Sequence, residues 1–141
     1  MAKLSHLLDL PVLAELTRPN GNRRVFTMFT RHQAQSAIAA PAAYALLRGV
    51  EALHPGPRRE QLSAFVSEML VNGPPILPFD RDAAIWLASA AAERARSQRG
   101  WSAIDGQLAA IAATRDLALV TRSGSSFAGL TGLRVEDWFR P

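Results

Sequence analysis

Short apolar runs alternate with segments of helical spacing along most of this chain. Continuous apolar runs bounded by turn residues are typical of strands buried on both faces of a parallel sheet. Runs of this kind predict strands at residues 7–9, 36–39, 76–79 and 117–120, with an edge strand at 133–135. Because helical patterns separate them, the chain is predicted to be an α/β protein with helices covering a parallel sheet.

The apolar spacing typical of a helix is clearer in some segments than in others. Residues 62, 65, 66, 69 and 70 are apolar at i, i+3, i+4, i+7 and i+8, which predicts an amphipathic helix. A helix beginning near Pro41 is predicted to bury Tyr44, Leu47, Val50 and Ala52 on one side. Turn residues at 19–21, 54–57 and 73–75 separate the segments. Further helices are predicted at 12–16 and 23–31, from Asp80 to Gly100, and from Ser102 onward.

Length and composition favour one ordinary domain covering residues 1–141. Hydrophobic residues make up 48% and charged residues 20%, and the absence of cysteine excludes disulfides and thiolate metal sites. The N-terminal segment lacks the pattern of a signal peptide, and no apolar run approaches the roughly 20 residues that span a bilayer. We therefore expect a cytoplasmic protein with no membrane partner.

The formal net charge is +4, and Lys3 is the only lysine, so nearly all positive charge is arginine. Arginine suits recognition of phosphate and carboxylate groups, which favours RNA or an acidic protein segment as a partner. A general arginine bias in codon usage explains the same composition equally well. The pairs Arg58–Arg59 and Arg94–Arg96 are interpreted as solvated helix faces.

Asp9 and Asp105 are the best candidate site. Asp9 closes the first predicted strand, and ligands of open α/β sheets bind beyond the carboxyl ends of strands. Asp105 lies in the first turn of the helix that begins at Ser102. In a right-handed parallel arrangement the two carboxylates can meet and share one Mg²⁺. Each also has a structural interpretation, because Asp9 can cap the following helix and Ser102–Asp105 has capping-box spacing.

Other motifs do not support a site. Residues 124–129 have the glycine spacing of a P-loop, but Leu130 stands where the essential lysine belongs. His6, His32 and His54 are far apart in sequence and lack paired metal-ligand spacing, so a histidine zinc site is not expected.

Several motifs in order resemble the PIN-domain ribonucleases, specifically the VapC-like toxins of toxin–antitoxin pairs. Residues 8–16, LDLPVLAEL, are similar to the opening L-D-T-N-V-L-S-E-L, and residues 77–80 match L-P-F-D. The helical segment from Asp105 to Thr114 is similar to D-x-x-I-A-A-x-A. Residues 119–122 with Phe127 match L-V-T-R-N-x-x-D-F. The resemblance runs nearly from end to end.

The resemblance implies a three-layer PIN-like fold with a short central parallel sheet flanked by helices. It also implies a metal-dependent endoribonuclease, in which clustered acids hold Mg²⁺ or Mn²⁺ that activates water and stabilises charge on phosphate. Asp9 matches the first acid and Asp105 the third, as both catalytic and metal-binding residues. The implied partners are a VapB-like antitoxin, an RNA substrate and a second copy in a homodimer.

The chain departs from the family pattern at three places, the first being Leu10–Pro11, which replaces the T-N pair after the first aspartate. Ala45 stands where the second acid is expected, and Ser126 or Ser123 stands where the last is expected. Loss of carboxylates weakens Mg²⁺ binding, because this ion sheds water reluctantly. The sequence therefore predicts an attenuated nuclease with metal weakly bound or absent. The alternative is a non-catalytic PIN-fold module that binds an antitoxin or RNA. A generic α/β domain with two helix-capping aspartates ranks last, since it leaves the ordered motifs unexplained.

Overall fold

The computed structural model describes residues 3–97, 100–127 and 129–141. Its core is a five-stranded sheet in the order β3-β2-β1-β4-β5, and every neighbouring pair is parallel. The strands are β1 (His6–Leu8), β2 (Ser36–Ala39), β3 (Ile76–Leu77), β4 (Ala118–Val120) and β5 (Arg134–Glu136). The α/β class with a short parallel sheet is as predicted.

Helices flank this sheet. They are α1 (Leu10–Leu16), α2 (Arg23–His32), α3 (Ala40–Glu51), α4 (Pro57–Asn72), α5 (Arg81–Arg96) and α6 (Ala103–Thr114), with 3₁₀ turns at Gln33–Gln35 and Gly124–Phe127. Helix α6 packs on β1 and β4, α3 packs on β2, and α5 pairs with α6. No helix in the described ranges is long and apolar enough to cross a membrane.

Strand β1 is central and buried. Leu7 aligns with Ala37 on one side and Leu119 on the other, and all three side chains are fully buried. Because the strands are parallel, their carboxyl ends meet at one edge of the sheet. The residues that follow β1 and β4 therefore come close together at that edge.

Local capping explains where several helices begin. The Asp9 carboxylate accepts a 3.1 Å hydrogen bond from the Val12 N–H, and that of Asp80 accepts one of 3.0 Å from Ala83. The Ser102 hydroxyl accepts the Asp105 N–H at 3.1 Å. Each contact satisfies a backbone donor that a first helical turn otherwise leaves unpaired. The starts predicted at Asp80 and Ser102 are confirmed, whereas α1 begins at Leu10 rather than Val12.

The buried face of α3 differs from the predicted one. Tyr44 and Leu47 are 58% and 46% exposed, and Ala52 is exposed as well. The inward face has two alanines and two larger apolar residues, of which only Val50 was predicted: Ala42, Ala43, Leu46 and Val50. Small side chains allow α3 to approach β2 and α6 closely, so close packing rather than side-chain size selects this face.

Two predicted element ends and part of one predicted buried stripe also differ from the structure. Strand β3 ends at Leu77, because Pro78 has no N–H to continue the ladder. Helix α5 ends at Arg96 rather than Gly100, and Ser97 caps it by donating to the Glu93 carbonyl. In α4, Val66 and Met69 are buried but Phe65 is 42% exposed, so the apolar stripe is only partly covered.

Candidate functional site

Asp9 lies directly after β1, at the carboxyl edge of the sheet. Its backbone N–H donates to the Val120 carbonyl at 3.1 Å, which ties it to the end of β4. Its side chain caps α1, so the structural interpretation of this residue is correct. The residue is only 4% exposed. A carboxylate has about four acceptor positions, so capping one backbone N–H leaves acceptors for another ligand.

The surroundings of Asp9 shift its pKa. Burial raises the pKa from 3.8 to about 6, while the Thr121 hydroxyl and the Val12 N–H act in the opposite direction by favouring the charged form. The charge of Asp105 raises it further, and the charge of Arg122 lowers it. The structure thus brings Asp9 and Asp105 within electrostatic range of each other, with Thr121 and Arg122 beside them.

Asp105 reaches this site from the first turn of α6. It is half-buried, and the N-terminal end of a helix favours negative charge. Because α6 packs on β1 and β4, its first turn faces the same edge of the sheet as Asp9. The Ser102 cap fixes the start of α6 and hence the position of the Asp105 carboxylate.

The other sequence-predicted positions supply no carboxylate. Ala45 lies in the second turn of α3 and is half-buried. Ser123 and Ser126 are exposed; the Ser123 N–H donates to the Thr121 hydroxyl at 3.1 Å. Across residues 3–97, 100–127 and 129–141, no group of three or more histidine or acidic side chains could hold a metal ion.

Two carboxylates are a small but chemically suitable donor set for a hard cation. Mg²⁺ is often bound through one or two carboxylates while it keeps several water ligands. Asp9 and Asp105 therefore fit a largely hydrated Mg²⁺ or Mn²⁺. Such a site has low ligand charge, and a proton competes with the metal for Asp9 below about pH 6.

Arg94 is not on a solvated helix face, which corrects the sequence interpretation. It is 5% exposed, and its guanidinium carbon lies 4.4 Å from the Trp101 ring centroid. Its Nη2 donates to the carbonyls of Ser126 at 2.6 Å and Gly100 at 3.4 Å. The sequence did contain a signal, because Arg94 lies four residues after the buried Ala90 on the inward face of α5.

His6 and His32 also meet, although they are far apart in sequence. Their ring centroids are 4.7 Å apart, and His32 stacks on Trp138 at 5.7 Å. His6 Nε2 lies 3.1 Å from the Glu136 carboxylate. His54 is not part of this cluster and is exposed between α3 and α4.

Comparisons with known proteins identify the fold. No family model matches the sequence, and no curated protein matches it either. Solved structures do match. Chains from DNA-bound VapBC of Salmonella typhimurium and from FitAcB of Neisseria gonorrhoeae are both 24% identical, with TM-scores of 0.84 and 0.80. VapBC-1 of nontypeable Haemophilus influenzae is 16% identical, with a TM-score of 0.81.

These matches extend over nearly the whole chain. They cover 96%, 96% and 97% of it, and 98%, 99% and 100% of the Salmonella, Neisseria and Haemophilus chains. At such identities the likeness establishes a shared fold. The PIN-like α/β fold implied by the sequence motifs is therefore confirmed, and its structural neighbours are toxin–antitoxin complexes of the VapBC type.

Proposed function

We propose that this chain is a VapC-like endoribonuclease that depends on Mg²⁺ or Mn²⁺ and is attenuated by the loss of two acids. The observation that supports this most directly is the position of Asp9 at the end of the central strand, electrostatically coupled to Asp105. Both residues match acids of the family's motifs, and the fold around them is shared with chains of VapBC complexes.

Each residue of the site has a distinct part in this proposal. Asp9 and Asp105 hold the metal, which supplies an activated water and stabilises charge on the phosphate when bound. Thr121 supports the charged form of Asp9, which burial opposes. Because the Asp9 pKa is about 6, most of this carboxyl is ionised near neutral pH and available as a ligand.

Ala45 and Ser126 account for the attenuation. At both positions the motif expects a carboxylate, and neither side chain brings negative charge. A serine hydroxyl can bind a metal-bound water but adds no charge. Metal is therefore held weakly, and the negative charge that develops on the phosphate in the transition state is stabilised less.

The proposed partner is an antitoxin of the VapB type, as in the complexes that share this fold. An apolar cleft of about 330 Å³ lies between α2 and α4. Its lining includes the half-exposed Phe65 together with Leu16, Phe26, Phe29 and Met69. A helix with an apolar face fits a groove of this kind. A homodimer is carried over from the family resemblance.

Restoring the acids tests the nuclease proposal. Purified wild type, Ala45→Glu/Ser126→Asp and Asp9→Ala are each incubated with single-stranded RNA and Mn²⁺. We expect slow cleavage by wild type, faster cleavage by the double variant, and none by Asp9→Ala. The uncharged variant Ala45→Gln/Ser126→Asn is the matched control, because it adds similar volume without charge. Cleavage that persists in Asp9→Ala would sink the proposal.

The second candidate function is a non-catalytic module that binds an antitoxin or RNA. The specific observation in its favour is that an apolar cleft lies between α2 and α4 while two expected acids are missing. Absence of cleavage in both wild type and the double variant, with binding of an antitoxin helix or RNA retained, identifies this function instead.

A further inference from the structure

Arg122 is an exposed cation whose position is fixed. Its guanidinium carbon lies 3.7 Å from the centroid of the Phe139 ring. Stacking on an aromatic face holds a guanidinium in place and leaves the N–H groups at its edge free for planar acceptors. Phe139 is half-buried, and its backbone N–H donates to the Asp137 carboxylate at 2.8 Å, which holds the chain that carries the ring.

This cation stands at the rim of the Asp9–Asp105 site. Arg122 lies two residues after Val120, the last residue of β4, and the Val120 carbonyl accepts the Asp9 N–H at 3.1 Å. The intervening Thr121 lowers the pKa of Asp9. Burial dominates the pKa of Asp9 and raises it, whereas the Arg122 charge lowers it, so the guanidinium acts on that carboxyl. Among the ion pairs formed by the described residues, none involves Arg122.

Arg94, the other arginine near this rim, does not have the same freedom. It is buried, and its Nη2 is bonded to two backbone carbonyls. Its Nε has no hydrogen-bond partner but is buried, so an anion from solvent cannot reach it without movement of the surrounding chain. Arg122 can accept an anion without any rearrangement of the chain.

We propose that Arg122, held by Phe139, binds a backbone phosphate of single-stranded RNA and places the adjoining phosphodiester beside Asp9 and Asp105. The inference rests on the proposed function, since it names the residue that positions the substrate of that site. Arginine is suited to this task because its planar fork matches two oxygens of a phosphate.

The proposal predicts opposite effects on two ligands. Removing Arg122 takes away a phosphate contact and weakens RNA binding. It also removes a positive charge next to Asp9, so Mn²⁺ binding stays the same or strengthens. If Arg122 had only a structural role, its removal would weaken the binding of both RNA and Mn²⁺.

The experiment measures both ligands on full-length protein. Affinity for a fluorescein-labelled single-stranded RNA is measured by anisotropy in EDTA at several salt concentrations, and Mn²⁺ affinity is measured separately by calorimetry. For Arg122→Met we expect RNA binding to weaken about tenfold, as for a lost charge-assisted hydrogen bond. The logarithmic salt dependence falls by about 0.7, the value for one phosphate contact on a single strand.

Three further variants make the result specific. Arg122→Lys keeps the charge but loses the fork, and Phe139→Leu loses the stack, so both give intermediate RNA affinities. Arg81→Met is the matched control. Arg81 is the first residue of α5, next to Asp80, which forms an ion pair with Arg115. Arg115 directly follows the C-terminal end of α6, whereas Asp105 lies at the N-terminal end of that helix. Arg81 is therefore at the end of α6 opposite to Asp105. Its RNA affinity should equal that of wild type.

The outcomes separate this inference from the proposed function. If wild type cleaves RNA but Arg122→Met binds RNA as well as Arg81→Met does, the inference is wrong and the function stands. If Arg122→Met loses Mn²⁺ and RNA affinity together, Arg122 supports the fold of the site rather than the substrate. If wild type neither binds nor cleaves RNA, both are wrong.

Discussion

The Arg94 guanidinium donates a 2.6 Å hydrogen bond to the backbone carbonyl of Ser126. The contact joins the end of α5 to the 3₁₀ turn Gly124–Phe127, and a second bond reaches Gly100 just before α6. A buried cation therefore organises the backbone at the position where the family motif expects its last acid. The turn is held through a carbonyl, so the Ser126 side chain is free to change without loss of this contact.

Arg94→Ala is expected to destabilise the protein by about 2–4 kcal/mol, because charge-assisted hydrogen bonds and packing on Trp101 are lost together. Urea unfolding followed by circular dichroism measures the change. Arg96→Ala is the control, since Arg96 is exposed and its ion pair with Glu93 contributes little. Equal losses in the two variants would contradict the assigned role of Arg94.

Asp9→Asn is expected to stabilise the protein near neutral pH. The folded carboxyl takes up its proton at about pH 6 and the unfolded one at 3.8, so the folded state holds more protons between these values. The contribution of Asp9 to the free energy of unfolding therefore falls as pH rises from 3.8 to about 6. Above that range, burial of the charged carboxylate lowers the free energy of unfolding by up to about 3 kcal/mol. Asparagine retains the cap on Val12 without that penalty.

Thermal melts of wild type and Asp9→Asn across pH check this expectation. The melting temperatures should differ most above pH 6 and converge below pH 3.8, where both states of the wild-type carboxyl are protonated. An advantage of Asp9→Asn that did not change with pH would show that burial of its charge is not the cause.

The fold could be predicted from sequence where its determinants are local. The apolar run at 36–39 became β2 over the same residues, and the side chains of Asp80 and Ser102 marked helix starts because capping acts within one turn. The buried face of α3 could not be predicted in this way. Its orientation depends on how closely it packs on β2 and α6, and no local spacing records that.

The candidate site likewise contains one feature that could be predicted from sequence, the Asp9–Asp105 pair, and one that could not, the environment of Arg94. Asp9 and Asp105 come together because parallel strands bring their carboxyl ends to one edge, a rule that applies before any contact is known. The environment of Arg94 follows no such rule. Its acceptors are backbone carbonyls of Gly100 and Ser126, which every residue type possesses and which leave no trace in the sequence.

Because of His32, the free energy of unfolding is expected to fall when the pH is lowered. Burial depresses its pKa below 6.5, and the nearby charges of His6 and Arg31 act in the same direction while Glu136 opposes them. Below pH 6.5 the unfolded chain therefore binds more protons than the folded one, so stability falls as pH falls. His32→Gln should flatten this part of the stability profile.

Urea unfolding between neutral pH and pH 5 tests this on the Asp9→Asn background, which removes the opposing titration of Asp9 from the same window. Replacing the exposed His54 by glutamine is the control and should leave the profile unchanged. A profile that His32→Gln does not alter would mean that the stack of His32 on Trp138 is insensitive to protonation.

Ala45→Glu alone is expected to change stability in opposite directions with and without metal. A glutamate in the second turn of α3, where the motif expects an acid, adds negative charge to the pocket of Asp9 and Asp105. Without metal the like charges repel, so the melting temperature falls below that of wild type. With millimolar Mn²⁺ the extra ligand tightens binding, and bound metal stabilises the folded state by RT ln(1 + [Mn²⁺]/Kd).

Ala45→Gln separates charge from volume in this experiment, because it has nearly the same size but cannot repel the aspartates or add ligand charge. The rise in melting temperature on adding Mn²⁺ should be larger for Ala45→Glu than for wild type. For Ala45→Gln it should be no larger than for wild type. A tenfold gain in affinity adds about 1.4 kcal/mol of stabilisation at saturating metal. If Gln and Glu respond alike to Mn²⁺, position 45 does not face the site, and the proposed attenuation would have to come from Ser126 alone.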